Sequence, residues 1–441
     1  MQIKQKIGIG FMALIGIPLG VSIADAKEEK VYTLNESVTE ALTNNWSIKA
    51  KKDSIETARY VKKQAKADFL PKLKTSYGYT RDSEVRLFRS TLPGTANSVL
   101  STQNNFRWAG SLSQPLFTGF ALSSAYELAK FGIDLSEMDL ALEKLDLALQ
   151  VKENYFNILK MDKAVEVVKQ EVEGFASHLK VTRSFYEVGM RPINDLLKSE
   201  VELANSQQNL VKVENAAKLA RSSFNKALSK HIDAPVEVKD IIAYESEAGD
   251  FSDFVEKSLK NRPEIKTLDI NMLQAEQQMR QAASKYYPEV ALTYDYIKEG
   301  DQFDVQGSDF HDANYWQVKT VLSWTFWEWG KTRSAVSEKR SLKKELMKMR
   351  RALEDDIRLQ VKKAILDIEL QGKNIPTARK AVEQGEENLR VSQERYKAQV
   401  TTSTEVLDAQ TLLTQARVNY YSAFYDQNLA KARLLRAIGE Y

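Results

Sequence analysis

Few side chains in this sequence could do covalent or metal chemistry. There are three histidines, His178, His231 and His311, and no cysteine. The histidines are far apart in sequence, so each reads as an ordinary surface or loop residue. Without cysteine there is no thiolate metal site, no disulfide and no sulfur nucleophile. No HExxH, GxSxG or Walker pattern occurs. An acidic stretch, Gly300-Asp301-Gln302-Phe303-Asp304 through Asp309-Phe310-His311-Asp312, carries oxygen donors that suit a hard divalent cation. The plainer reading is an exposed polar loop with no specific ligand, and no cofactor or metal is expected. Charge elsewhere is balanced: 63 Lys and Arg stand against 60 Asp and Glu, a net of +3, with both signs interspersed. That pattern suits solvated helix faces and gives no argument for a nucleic-acid partner.

The elements that carry these residues are long. Only 18 Gly and 9 Pro occur in 441 residues, so helices can run far without a breaker. At the N-terminus Lys4 and Lys6 precede an apolar run from Ile7 to about Val21, followed by Ala24-Asp25-Ala26. This is the pattern of a cleaved secretory signal, residues 1–26, with the mature chain starting near Lys27. No later segment reaches the roughly 18 consecutive apolar residues that a membrane-spanning helix needs.

The chain repeats itself. Leu42/Leu259, Asn44/Asn261, Ala58/Ala275, Pro71/Pro288, Tyr77/Tyr294 and Tyr79/Tyr296 match at one constant offset. Further on the offset shortens, and Asp195-Leu196-Leu197 matches Glu405-Val406-Leu407. Residues 27–229 therefore form a first repeat and 258–441 a second, joined by 230–257. Each repeat predicts a helix (34–68; 252–286) ending before a proline. A strand follows through Leu73, Thr75, Tyr77 and Tyr79, or Val290, Leu292, Tyr294 and Tyr296. After a polar loop (81–104; 297–314) comes a second strand, Phe106 to Leu112 or Trp316 to Trp324. A long helix (121–187; 331–397) then turns into a shorter one (193–229; 403–438). About 67 residues at 1.5 Å each give a helix of roughly 100 Å, more than a globular domain can use.

The shorter helices carry heptads with small residues on one seam. Val406, Ala409, Leu413, Ala416, Tyr420 and Ala423 recur at 3,4 spacing, as do Leu196, Ser199, Leu203, Ser206, Leu210 and Val213. Small seam residues let helix axes approach closely. The strands pose a separate problem. Apolar positions alternate with Lys72, Lys74, Ser76, Gly78 and Thr80, and all tryptophans except Trp46 cluster around them. Four such strands have open edges and cannot span lipid alone, so they must close with copies of themselves.

These residues resemble the TolC-like outer-membrane factor family over essentially the whole mature chain. The segments that carry the resemblance are Asn261-Arg262-Pro263-Glu264-Ile265, Tyr287-Pro288-Glu289-Val290, Ser113-Gln114-Pro115-Leu116-Phe117-Thr118-Gly119, and Arg395-Tyr396 through Glu405-Val406-Leu407-Asp408-Ala409. The resemblance implies a mainly α fold with a small β portion. Four strands per protomer would join a trimeric 12-stranded transmembrane β-barrel, above a long periplasmic α-helical barrel. The 230–257 segment and the termini would form an equatorial region. The chain would be a passive export duct in the Gram-negative outer membrane, extending into the periplasm, for efflux or type I secretion. Its partners would be two more copies, outer-membrane lipid, a periplasmic adaptor (membrane fusion) protein and an inner-membrane pump. The acidic loop at 299–312 would then be an exposed extracellular loop with no specific ligand, a divalent cation or contact with lipopolysaccharide being the alternatives. A periplasmic coiled-coil adaptor or scaffold without a pore is the competing reading, and the aromatic strands argue against it.

The resemblance also implies a gate at the periplasmic tip. The tip turns, which would dock the adaptor, are Gly189, Met190, Arg191 and Pro192, and Gln399, Val400, Thr401 and Thr402. Glu405 and Asp408 fall where the family's narrowest ring is acidic, which would favour cations. Asp195 and Tyr396 fall where the prototype makes a bond that holds the tip shut. A second such bond uses an arginine where this chain has Thr401, so that part of the gate is either absent or replaced, with Arg191 the candidate replacement.

Overall fold

The computed structural model describes residues 31–441, apart from 89–90, 92–93, 95–97, 101, 242–249 and 310–311. The expected signal segment lies outside the described residues, as does His311. A short strand β1 (Val31–Tyr32) leads into helix α1 (Leu34–Asn44). Thr33 caps α1 reciprocally with Glu36: the Glu36 amide donates to Thr33 Oγ1 and the Thr33 amide to the Glu36 carboxylate. Helix α2 (Trp46–Ala67) then delivers the chain to strand β2 (Lys72–Arg81). A small hairpin, β3 (Leu87–Phe88) and β4 (Ser98–Val99), precedes strand β5 (Asn104–Phe117). The first long hairpin is α3 (Ala121–Glu187) and α4 (Ile193–Ala227). Strand β6 (Glu237–Val238) pairs in parallel with β1. The second half repeats the order: α5 (Phe251–Asn261), α6 (Pro263–Ala283), β7 (Glu289–Gly300), β8 (Asn314–Ser323), α7 (Lys331–Lys397) and α8 (Ser403–Ile438).

Two expectations need correction. The single helices expected at 34–68 and 252–286 are each two helices. Asn45 leaves the helical region (ψ 136°) and its side chain caps α2 by accepting from the Ser47 amide at 2.8 Å. Arg262 also leaves the helical region (ψ 126°), with no side-chain cap, because Pro263 occupies the first turn of α6 and excludes the helical conformation from the residue before it. Both breaks are anchored. The Asn45 amide group donates to the Ala227 carbonyl at 2.8 Å, and the nearly buried Arg262 guanidinium pairs with Glu264 at 2.7 Å. The loop expected at 81–104 also contains the β3–β4 hairpin.

The strands form one antiparallel sheet in the order β2-β5-β7-β8. Period-two alternation sorts its residues onto two faces. Leu73, Tyr77, Tyr79, Trp316, Val318 and Leu322 share one face, and each is more than half exposed. Aromatic neighbours pair along it, Tyr79 with Phe106 at 4.6 Å and Trp108 with Tyr296 at 6.2 Å between ring centres. The opposite face is a polar trough. Lys319 reaches Asp295 at 3.2 Å and Arg107 reaches Glu299 at 3.3 Å across it.

Helices leave the sheet through left-handed residues, Gly119 (φ 60°) and Phe120 in the first half, Trp329 and Gly330 in the second. A Cβ on Gly119 would stand 2.4 Å from the Ser284 carbonyl oxygen, whereas one on Gly330 would meet open space. Gly119→Ala is therefore expected to destabilise by about 3 kcal/mol, from overpacking plus left-handed strain. Gly330→Ala should cost only the strain, about 1–2 kcal/mol. Urea unfolding midpoints of the two variants check this, and equal midpoints would contradict it.

Below the sheet, the main core gathers where the short helices meet the hairpins. Tyr155, Phe156, Ile158, Phe224, Ile48 and Leu228 are fully or almost fully buried there. The Tyr155 hydroxyl lies 2.6 Å from the Lys239 carbonyl and 3.0 Å from that of Tyr32, stapling the β1–β6 pair to α3. A second cluster holds Phe254, Ile265, Ile357, Val361, Leu434 and Ile438. Among the described residues, no helix is long and apolar enough to cross a membrane.

Candidate functional site

The tips of the two hairpins come together far from the sheet. Both turns close alike because each has a left-handed residue after the helix. Gly189 (φ 77°) donates to the Tyr186 carbonyl and Met190 to that of Phe185. Gln399 (φ 64°) donates to the Tyr396 carbonyl and Val400 to that of Arg395. Gln399 also reaches across to the Met190 sulfur at 3.2 Å, so the turns touch. Met190 and Val400 are exposed beyond them, flanked by exposed Pro192 and Thr402.

Behind the turns is a buried polar cluster fed by all four hairpin helices. The Tyr396 hydroxyl of α7 donates to Thr182 Oγ1 of α3 at 3.0 Å. One turn earlier on α3, His178 Nε2 lies 3.3 Å from that Thr182 oxygen and 2.7 Å from Ser403 Oγ of α8. Ser403 in turn lies 3.1 Å from Ser199 Oγ of α4. The His178 and Tyr396 rings are 4.9 Å apart, with Phe185 packed on the other side of the tyrosine. His178 is 8% exposed, which corrects the reading of it as a surface residue. Burial pushes its imidazole down to about 4, against the attraction of Asp195. It is therefore neutral at pH 7. No sequence signal named Ser403 as its partner, although Thr182 one turn away on the same face of α3 was visible.

Arg191 binds the cluster from outside. Its guanidinium stacks over Tyr396 at 4.9 Å, donates to the Thr401 carbonyl at 2.5 Å and faces the Asp195 carboxylate at 4.0 Å. Both charged side chains are 14% exposed, and Arg191 Nε and Asp195 Oδ2 are buried without a hydrogen bond. The bond expected between Asp195 and Tyr396 is not formed within the protomer. Arg191 bridges the two groups instead, and the backbone of Thr401 supplies the acceptor in the second turn. Glu405 pairs with Arg395 at 3.2 Å and also accepts from the Thr401 hydroxyl. Asp408, one turn further along α8, is exposed.

Two comparisons place this architecture among known proteins. The chain is similar to the Campylobacter jejuni CmeC outer membrane channel (TM-score 0.78, 17% identity, covering 92% of this chain and 85% of that one). It is also similar to the outer membrane protein VceC from Vibrio cholerae (TM-score 0.76, 15% identity, 92% and 96% covered). The open state of the Neisseria gonorrhoeae MtrE outer membrane channel matches as well (TM-score 0.71, 17% identity, 92% and 89% covered). No curated protein matches the chain by sequence. The family model described as outer membrane efflux protein matches twice, over residues 38–229 and 254–440, once for each repeat. The protein thus belongs to the outer membrane efflux protein family.

Proposed function

We propose that the chain is one protomer of a homotrimeric export duct that carries solutes passively from the periplasm across the outer membrane. The observation that supports this best is the sheet. Among the described residues its two edge strands, β2 and β8, each have one partner, while one face is apolar and exposed and the other polar. In lipid the free edges must be closed, and copies of the same sheet can close them. The apolar face then meets outer-membrane lipid and the polar trough lines the pore. The hairpins continue the duct into the periplasm. Their turns, Gly189 to Pro192 and Gln399 to Thr402, offer exposed Met190 and Val400 to a periplasmic adaptor protein, and an inner-membrane pump supplies the energy. Cell fractionation tests the reading. Heat-modifiable trimers in the outer-membrane fraction are expected, and a soluble periplasmic monomer would favour a scaffold without a pore.

Three copies of Glu405 and Asp408 gather six carboxylates at the tip. Glu405→Ala with Asp408→Ala is expected to lower the cation-over-anion permeability ratio severalfold in planar bilayers. An unchanged ratio removes the selectivity ring from these residues.

A further inference from the structure

The two repeats are not merely alike in order; they coincide rung by rung. Within the first repeat Lys72 pairs with Ser113 and Arg81 with Asn104; within the second Glu289 pairs with Ser323 and Lys298 with Asn314. Each first partner has moved by one constant offset and each second partner by another, and the same second offset carries α3 onto α7 and Gly119-Phe120 onto Trp329-Gly330. Between the repeats a further junction is visible. Strand β5 pairs with β7, Leu112 opposite Tyr294 and Ser111 opposite Asp295, and α3 packs on α6 and α8. Strand β8 and helix α7 stand in the place of β5 and α3, but have no such junction neighbours among the described residues. Strand β2 and helices α2 and α4 stand in the place of β7, α6 and α8, and β2 has no second partner strand among the described residues.

Applying the same two offsets to the junction gives the seam between subunits. We propose that β8 pairs antiparallel with β2 of a second copy so that Leu322 lies opposite the partner subunit's Tyr77 and Val321 opposite the partner subunit's Gly78. This deepens the trimeric reading and rests on it. The helices support the same register. Leu366 on α7 occupies the place of Phe156 on α3, yet it is 48% exposed where Phe156 is 2% exposed. Leu219 on α4 occupies the place of Leu429, which packs against the cluster holding Phe156, yet Leu219 is 68% exposed. The seam brings Leu366 onto the partner subunit's Leu219. The copy ends at Trp329, because the glycine in its place, Gly119, leaves no room for a Cβ. The lower end of the seam must therefore stand wider than the β5–β7 junction.

The chain has no cysteine, so introduced pairs report cleanly. Opposed residues of an antiparallel pair are about 4.5–5.5 Å apart between Cα atoms, within reach of a disulfide. Adjacent rungs alternate in type, so two pairs are needed: Leu322→Cys with Tyr77→Cys, and Val321→Cys with Gly78→Cys. At least one is expected to give covalent trimers on non-reducing gels, lost on adding reductant, and at least tenfold more than the slipped pair Leu322→Cys with Tyr79→Cys. Trimers that cross-link best in the slipped pair, or in neither matched pair, overturn the register and leave the channel standing. Failure of the unsubstituted chain to form a heat-modifiable trimer overturns both.

Discussion

Arg191→Ala is expected to open the periplasmic end of the proposed channel. The guanidinium is the cation that joins both turns: it covers Tyr396, holds the Thr401 carbonyl and faces Asp195. Its removal leaves the Asp195 carboxylate, 14% exposed, without the one ion-pair partner it has among the described residues. Breaking a buried pair by deleting one partner costs about 3–5 kcal/mol, because the remaining charge is uncompensated. Part of that cost is relieved when the tip splays and Asp195 reaches water. A relief of about 3 kcal/mol shifts the closed-to-open ratio by about a hundredfold. Single-channel conductance should rise severalfold, and cells should become sensitive to antibiotics too large for the outer membrane. Adding Asp195→Asn to Arg191→Ala removes the stranded charge and should restore much of the closure. Conductance unchanged in Arg191→Ala would show that this side chain holds nothing shut.

Acidification of the periplasmic side should loosen the same tip through His178. The folded imidazole is held down to about 4 by burial, against an ordinary value of 6.5. Above pH 6.5 both the closed and the solvated forms are neutral, and closure is unaffected. As pH falls from 6.5 to 4 the solvated form gains a proton and the closed form does not, so closure weakens by about 1.4 kcal/mol per unit. The total is on the order of 3 kcal/mol, and below pH 4 it levels off. The groups facing His178 are Thr182 on its own helix, Tyr396, Ser403 and, more distantly, Asp195; only Asp195 opposes the effect. Open probability in planar bilayers, followed from pH 7 to 4, should rise across this window. His178→Gln should abolish the rise, and a rise that survives the substitution would place the sensor elsewhere.

Much of this fold was legible in the sequence because its signals are local and repeated. The 121–187 and 331–397 helices run between the bounds expected from the repeat and from the scarcity of Gly and Pro. The strands were found by alternation, which survives because one face meets an apolar medium and the other water. The breaks at Asn45 and Arg262 were missed because apolar periodicity continues on both sides of each. Pro263 did mark the second break, since a proline in the first turn fixes the preceding residue as extended. The tip cluster was partly legible: resemblance pointed to Asp195 and Tyr396, and Arg191 stood beside them. His178 was not. Its burial depends on Ser403 of the other hairpin, and nothing near either residue in the chain announces that contact.

The most direct measurement is the conductance of the purified trimer in a planar lipid bilayer with no energy source. Stepwise, ohmic currents that are small in the unsubstituted protein and larger in Arg191→Ala are expected of a passive duct closed at its tip. A bilayer that stays silent, with protein that remains monomeric in detergent, would contradict the channel itself.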